Sequence, residues 1–380
     1  MDKAKIRSEF DIPEHIHYLN CAYMAPLHQT VMEAGFDGVR RKRRPWSVLA
    51  QDFFEDSDRT REMFAWLIGA RPDCVSLIPS VSYGIATAAR NLSLQAGQNI
   101  VVLAEQFPSN VYPWRSLANQ QNGKIKTVER PADSNWTQSI IDAIDAQTAI
   151  VALPMCHWTD GSMVHLHQVA RLCKENHIAL VLDLTQSLGA VPFSIEKIPC
   201  DFAVAAAYKW LLGPYSLAYM YVNPKHHLGE SLEANWITHE GGENFAGLVD
   251  YRDELVPNAH RFDVGERSNF TLLPMAQAAL SLIREWGVES IAEALGKMTH
   301  YIEQAVEPLG FTVTPQAHRG PHMIGLRSEN PISAQLGSML GQSNIYVSMR
   351  GTSIRVAPHL YNTREDLDAL VRVLESVQKG

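Results

Sequence analysis

Apolar positions in the middle of the chain form short runs that alternate with amphipathic stretches. Runs of about four to eight apolar residues indicate buried strands, and apolar residues three or four positions apart indicate helices. The predicted strands are 75–78, 99–104, 124–128, 148–153, 178–182, 201–207 and 216–222. The helices predicted between them begin near residues 81, 111, 139 and 165. Such alternation is typical of an α/β protein with a mainly parallel sheet covered on both faces, here of seven strands.

The two ends of the chain carry other patterns. Residues 1–27 are predicted to form an extended arm, and 224–270 a long irregular segment of the kind that serves function or an interface. Further predicted helices are 28–44, 52–69, 272–286, 288–308, 332–341 and 364–377, and further strands are 346–349 and 353–357. We therefore divide the chain into an N-terminal arm (1–27), a large domain (28–265) and a small C-terminal α+β domain (266–380).

Composition narrows the class of protein. With 380 residues, 46% of them hydrophobic, the chain can bury a large core. The net charge is −8, and the one basic block, Arg40–Arg44, is interpreted as the solvated end of a helix, so we expect no nucleic-acid partner. The charged N-terminus precedes no apolar run, and no stretch reaches about 20 apolar residues, so we expect neither a signal peptide nor a membrane span.

The cysteines indicate the compartment. There are five, an odd number, and none forms a CxxC pair. This usage is typical of a reduced, cytoplasmic protein without structural disulfides or a zinc site.

One lysine and one aspartate follow neighbouring apolar strands. Lys209 comes after the strand 201–207, and Asp183 after the strand 178–182. Pyridoxal phosphate (PLP) needs a lysine for its aldehyde and a carboxylate for its pyridinium nitrogen. A solvated surface lysine is the alternative, but apolar residues on both sides of Lys209 favour burial, which lowers the pKa of the amine and makes it a better nucleophile.

The turn after the first strand of the sheet is a candidate anion site. Ser80, Val81 and Ser82 open a predicted helix, whose free backbone N–H groups and positive dipole end favour a phosphate. An ordinary N-cap serine is the alternative. Ligands of open α/β sheets bind beyond the carboxyl ends of the strands, and this turn, Asp183 and Lys209 all lie at such ends.

From Tyr18-Leu19-Asn20 to Arg355-Val356-Ala357, the chain resembles the class V aminotransferases of PLP fold type I. That family includes cysteine desulfurases, kynureninase and isopenicillin N epimerase-like proteins. Asp183-Leu184-Thr185-Gln186-Ser187 is similar to the family's Asp-x-x-Gln-Ser. The resemblance implies that Asp183 pairs with the pyridinium nitrogen, that Gln186 bonds the phenolic oxygen and that the Tyr208 hydroxyl reaches the phosphate.

Further site residues follow from the same resemblance. Phe107 matches the ring that covers the cofactor, and core packing is the alternative role for this side chain. Arg355 matches the arginine that binds the substrate α-carboxylate, and Arg350 is a weaker candidate for that role. Trp158 stands where many relatives carry asparagine. Expected substrate contacts are Asn20, Ala22, Trp158 and Arg355.

The resemblance also implies a homodimer whose active sites lie at the interface. Glu266 takes the position of a threonine that binds the phosphate in the neighbouring subunit, and its charge would repel that group. Arg267 or Ser268 is expected to bind the phosphate instead.

The reaction stays open between three outcomes. We expect a class V aminotransferase acting on a small amino acid through an external aldimine, with Lys209 as Schiff-base lysine and α-proton base. A C–S or C–C lyase or a racemase would use the same residues, and a non-catalytic binding protein is the remaining alternative. All cysteines precede Lys209, which disfavours a desulfurase that needs a thiolate on a C-terminal loop. His157 is a candidate base or a structural histidine, and Asp160 a turn residue.

Overall fold

The computed structural model describes residues 3–328, 334–350 and 352–378. The strands are β1 (His17–Tyr18), β2 (Val75–Ile78), β3 (Asn99–Leu103), β4 (Lys124–Val128), β5 (Thr148–Pro154), β6 (Ala179–Asp183), β7 (Phe202–Ala206), β8 (Ala218–Val222), β9 (Ile324–Arg327), β10 (Ile345–Tyr346), β11 (Ser348–Arg350) and β12 (Ser353–Val356). The helices are α1 (Lys3–Ser8), α2 (Gln29–Lys42), α3 (Asp52–Ile68), α4 (Val81–Asn91), α5 (Tyr112–Gln121), α6 (Trp136–Ala143), α7 (Leu166–Glu175), α8 (Leu272–Trp286), α9 (Val288–Val306), α10 (Ala334–Gln342) and α11 (Arg364–Gln378).

Seven strands form the main sheet in the order β2-β8-β7-β6-β5-β3-β4. All neighbours pair in parallel except β8, which is antiparallel to both β7 and β2. The predicted α/β class with a mainly parallel seven-stranded sheet is therefore confirmed. The segment between β7 and β8 is short for a crossover, which explains why β8 returns antiparallel.

The strands are apolar on both faces because helices cover both faces. In β3, Ile100 and Val102 pack with α4 and α5, whereas Val101 and Leu103 pack with α3, α6 and α7. Apart from the edge strand β4, which carries two lysines, the strands thus contribute alternate residues to two cores and their sequences are largely apolar.

The C-terminal part builds a second, smaller sheet. Strands β11, β12 and β9 pair antiparallel in that order. The predicted strand 346–349 is two elements, because β10 pairs with β1 and β11 pairs with β12. Part of the helix predicted at 332–341 lies outside the described residues. The boundaries predicted at 27 and 265 stay predictions.

The N-terminal arm is not extended throughout, so that prediction is wrong for residues 3–8, which form α1. Ile6 and Phe10 are buried, and the Arg7 guanidinium donates to the Tyr361 carbonyl at 3.0 Å. A helix this short is stabilised by such tertiary contacts rather than by its own sequence. Within the described residues, no helix is long and apolar enough to cross a membrane.

Candidate active site

One edge of the main sheet gathers the ends of β2, β3, β5, β6 and β7 and the start of β8 around a cavity of about 300 Å³. Predicted site residues in its wall are Ser80, Val81, Ser82, Phe107, Trp158, Asp183, Gln186, Tyr208 and Lys209. Residues more than a hundred positions apart in sequence therefore share one cavity, at the edge where α/β sheets bind ligands.

Lys209 lies buried in this wall and is 7% exposed. Its Nζ atom is 5.5 Å from the centre of the Phe107 ring and 5.4 Å from that of Tyr208. Burial lowers the pKa of the Lys209 amine to about 8, although the nearby Asp183 acts in the opposite direction. A larger fraction of the amine is thus neutral, and nucleophilic, than for a solvated lysine.

Asp183 is the last residue of β6 and is also 7% exposed. Its Oδ1 accepts a hydrogen bond from the Thr185 backbone N–H at 3.0 Å. Burial raises the pKa of the Asp183 carboxyl, and the contacts with Thr185 and the charge of Lys209 oppose that change. A carboxyl held in this way is suited to share a proton with a buried nitrogen base.

The N-terminus of α4 reaches the cavity. Ser80 is the N-cap, and its Oγ accepts from the Tyr83 N–H at 3.2 Å, so the N-cap interpretation is correct. The Ser80 and Ser82 hydroxyls are 2.9 Å apart and both line the cavity, as does Val81 between them. Two hydroxyls and a helix dipole together form a suitable anion cradle.

The Gln186 side chain is fixed beside Lys209 by the residues around it. Its Nε2 donates to the Ala22 carbonyl at 3.0 Å, and its Oε1 accepts from the Trp210 indole at 2.9 Å. Ala22 itself does not line the cavity; its contact with Gln186 is through the backbone. The amide retains one free N–H, which leaves Gln186 able to donate to a ligand.

Two aromatic rings form another part of the wall. Phe107 meets Trp158 edge to face, with ring centres 5.5 Å apart, and stays 40% exposed. The Trp158 indole donates to the Glu105 carbonyl at 2.6 Å, and the Arg350 guanidinium lies over the Trp158 ring, 5.2 Å from its centre. Phe107 thus faces the cavity rather than the core.

Arg355 lies beneath this wall, 1% exposed. It donates to the Trp158 carbonyl at 2.7 Å and to the Ser348 hydroxyl at 3.3 Å, and its Nε has no partner. Asn20 accepts from that same hydroxyl at 2.9 Å. Arg355 and Asn20 are therefore connected to each other behind the cavity rather than in its wall.

The predicted phosphate residues of the neighbouring subunit lie elsewhere. Arg267 donates to Asp263 at 2.5 Å, and the Ser268 hydroxyl donates to the Phe53 carbonyl. Neither lines the cavity of its own chain. Their role across an interface stays a prediction, with Arg267 already paired to a carboxylate.

Two open interpretations are now decided. His157 is buried with Nδ1 near the Thr159 hydroxyl at 2.8 Å and Nε2 near the Ala104 carbonyl at 3.1 Å, so it is structural. Asp160 is more than a turn residue, and that interpretation is wrong. It accepts from Arg130 at 2.7 Å and from Arg327 of β9 at 2.6 Å.

Sequence reasoning missed the start of β8. Tyr215, Ser216 and Leu217 line the cavity because β8 runs antiparallel and begins at the sheet edge where the cavity lies. The short link from Lys209 to β8 was the available signal. Other missed wall residues are Pro79, Gln106, Ser109, Pro154, Cys156, Thr185 and Ala206.

The groups in this wall fit PLP. A buried amine can bond its aldehyde, a buried carboxyl can pair with its ring nitrogen, and an aromatic ring can cover the pyridine. The helix N-terminus with Ser80 and Ser82 suits its phosphate. The four groups converge on one cavity, and no group in it is unsuited to the cofactor.

Comparisons with known proteins agree with a PLP site. The family model "Aminotransferase class-V" matches residues 29–373, nearly the whole chain. An uncharacterised aminotransferase, YcbU of Bacillus subtilis (strain 168), is 26% identical over 93% of this chain and 92% of its own. A kynureninase of Shouchella clausii (strain KSM-K16) is 26% identical over 99% of this chain and 91% of its own.

Solved structures share the fold. A cysteine desulfurase from Thermococcus onnurineus NA1 superposes with a TM-score of 0.89 at 18% identity, over 99% of this chain and 98% of that one. A mutant of C-DES with glycine covalently linked to its PLP cofactor gives a TM-score of 0.87 at 16% identity, over 97% and 99%. The chain is a member of the aminotransferase class-V family, whose enzymes use PLP.

Proposed function

We propose that this protein is a PLP-dependent aminotransferase acting on a small α-amino acid. The observation that carries the proposal is the buried Lys209 amine, which lies in one cavity with the buried Asp183 carboxyl. Burying two ionisable groups is costly, and such pairs are concentrated at functional sites.

Each group has a role toward the cofactor. Lys209 would bond the aldehyde, Asp183 the ring nitrogen, Gln186 the phenolic oxygen, and Ser80 and Ser82 the phosphate. Phe107 would cover the ring, and the Tyr208 hydroxyl at the same wall is a further phosphate donor. When bound, PLP supplies an electron-poor ring that accepts the electron pair left by the substrate Cα–H bond.

The chain's own residues bind and orient the substrate. Arg355 has an unpartnered Nε and matches the α-carboxylate position, and a guanidinium binds a carboxylate with two parallel hydrogen bonds. Lys209 Nζ, once freed from the cofactor by the incoming amine, would take the Cα proton and return it to the former aldehyde carbon of PLP on the other side of the shared nitrogen, which a lowered pKa allows near neutral pH.

A lyase of the C–S or C–C type is the second candidate. The kynureninases among the relatives match over most of their length, and the exposed Phe107 ring with the half-buried Trp158 ring would suit a leaving side chain. Racemisation requires no different residue in the described wall, and a non-catalytic binding protein is disfavoured because Asp183, Gln186 and Lys209 are all in place.

One assay separates the candidates. The yellow purified protein is mixed with single amino acids, and the cofactor absorbance is followed with and without a keto acid. Conversion to the pyridoxamine form that a keto acid reverses supports the aminotransferase. Release of pyruvate or alanine without any keto acid supports the lyase, and inversion without either product supports the racemase.

We also infer a homodimer in a reducing, cytoplasmic compartment. All five cysteines are free and buried.

The homodimer is supported by large exposed apolar side chains in two stretches of the chain, 36–49 and 249–251. Phe53, which follows the first stretch, contacts the rings of Trp236 and Phe245, which precede the second. The exposed side chains include Phe36, Val39, Trp46, Leu49, Val249 and Tyr251. An apolar surface of this kind is typical of an interface.

A further inference from the structure

Two arginines beside the cavity have no carboxylate partner. Arg350 belongs to β11 and Arg355 to β12. Arg350 donates to the Met349 carbonyl at 2.7 Å, and its Nε, like that of Arg355, has no partner. Within the described part of the chain, neither guanidinium forms a salt bridge.

Other sheltered arginines of the described chain pair with an acid or, like Arg261, donate to carbonyls from all three guanidinium nitrogens. Arg319 pairs with Glu303 at 3.0 Å, and Arg61 pairs with Asp263. Arg261 has no acid but donates to three backbone carbonyls. The pair beside the cavity therefore departs from the rule that sheltered charges are compensated.

Both guanidiniums are held by the same residue of the wall. Arg355 donates to the Trp158 carbonyl at 2.7 Å, and Arg350 lies over the Trp158 ring at 5.2 Å. Trp158 itself lines the cavity. Two positive groups thus approach the cavity from one side.

The hairpin register places the two arginines on one face. Arg355 is opposite Ser348, and Arg350 is two residues further along the same strand. Side chains two positions apart point the same way, and such diagonal neighbours are roughly 7–8 Å apart, with the Cβ atoms somewhat closer. One small ligand with two acid groups can bridge that spacing.

The positive charge of Arg350 acts on Arg355, and the charges of both arginines act on Lys209. Burial first, and then Arg350, lowers the pKa of Arg355 to about 10. Both arginines also act to lower the pKa of Lys209. In the wall itself the formal charges of Lys209 and Asp183 balance, so the two arginines beside it add positive charge that no acid of the wall offsets.

We propose that Arg350 is a specificity residue that binds a second acidic group, so that the substrate is an amino acid with an acidic side chain. This inference rests on the proposed function, in which Arg355 holds the α-carboxylate. Arg350, anchored on the Trp158 ring, takes the side-chain carboxylate and neutralises the excess charge.

Unreactive acids test the second site apart from catalysis. Succinate and butyrate have the same chain length but two and one carboxylates, and their dissociation constants are measured on the PLP-loaded protein by calorimetry. Succinate is expected to bind about tenfold more tightly to the wild type, and R350Q to lose that preference while butyrate binding is unchanged. R171Q, an exposed arginine outside the cavity wall, should behave as wild type.

Equal binding of succinate and butyrate to the wild type overturns the inference, whether or not R350Q folds. A preference for succinate that survives in R350Q also overturns it. In turnover, aspartate or glutamate should exceed asparagine or glutamine, and R350Q should reduce that ratio about tenfold. Equal turnover of acids and amides refutes the inference alone, whereas a protein without cofactor absorbance refutes the proposed function.

Discussion

At the scale of single residues, the site depends on two ionisable groups whose burial acts in opposite directions. The neutral form of Lys209 and the protonated form of Asp183 are both favoured by desolvation. Each group partly restores the charge of the other. A buried pair in which the pKa of both groups is perturbed is typical of a functional site.

The lowered pKa of Lys209 predicts how fast the cofactor-free protein captures PLP as pH changes. The pKa of the Lys209 amine is about 8, so below pH 8 most of the amine is protonated and unreactive. At pH 7 about one amine in ten is neutral. The capture rate should rise nearly tenfold from pH 6 to 7 and level off above pH 8. Stopped-flow absorbance measures it, and a rise continuing to pH 10, as for Nα-acetyl-lysine, would contradict the assignment.

Replacing the carboxylate tests the second group. In D183N the ring nitrogen loses its charged partner, and the turnover rate should fall roughly 10²–10³-fold. D142N, at an exposed aspartate that accepts from the Gln138 side chain, is the matched control and should retain full activity. Steady-state kinetics on protein with equal PLP content is the measurement, and a D183N rate within threefold of wild type would refute the role.

At the scale of elements, a buried ion cluster fastens β2 to the irregular segment. Asp263 accepts from the Leu77 N–H at 2.7 Å and the Ser76 hydroxyl at 3.0 Å, and it pairs with Arg61 and Arg267. Both arginines are buried, and removing their shared acid leaves Arg61 with Asp58 alone and Arg267 with no other ion pair among the described residues.

We therefore expect D263N to lower the free energy of unfolding by about 3–5 kcal/mol. Urea denaturation of the cofactor-free protein, followed by tryptophan fluorescence, measures it. D73N, which removes an exposed partner of Arg71, should change it by less than about 1 kcal/mol. A D263N curve that overlays the wild type would show that the cluster contributes no net stability.

The sequence predicted the strands of the main sheet well because all but the edge strand β4 are buried on both faces and are largely apolar. It failed where tertiary contacts decide the conformation. The α1 helix depends on Ile6 packing against the rest of the core, and the break between β10 and β11 depends on β1. Helix α6 begins at Trp136, three residues before its predicted start, because Asn135 caps it.

Some residues of the candidate site could likewise be predicted from the sequence, and others could not. Lys209, Asp183 and Ser80 stand at strand ends, so spacing alone placed them together. Tyr215 and Cys156 were missed, since their position depends on the direction of β8 and on the path after β5. Pairing contacts such as that of Asp160 with Arg327 join segments far apart in sequence, and no local pattern predicts them.

At the scale of the whole molecule, the exposed apolar surface that includes Phe36, Trp46 and Tyr251 predicts self-association. Sedimentation equilibrium at micromolar concentration should give twice the chain mass of 42.4 kDa. Apolar association of this kind should withstand 1 M NaCl, which screens charge interactions. A single species of 42.4 kDa at every concentration would refute the homodimer.

The central claim, that one buried amine carries the cofactor, has a direct test. The yellow holoprotein is reduced with borohydride, digested, and analysed by peptide mass spectrometry. The account predicts a single phosphopyridoxyl group on Lys209, absent from K209A. A label on a different lysine, or none on the wild type, would contradict it.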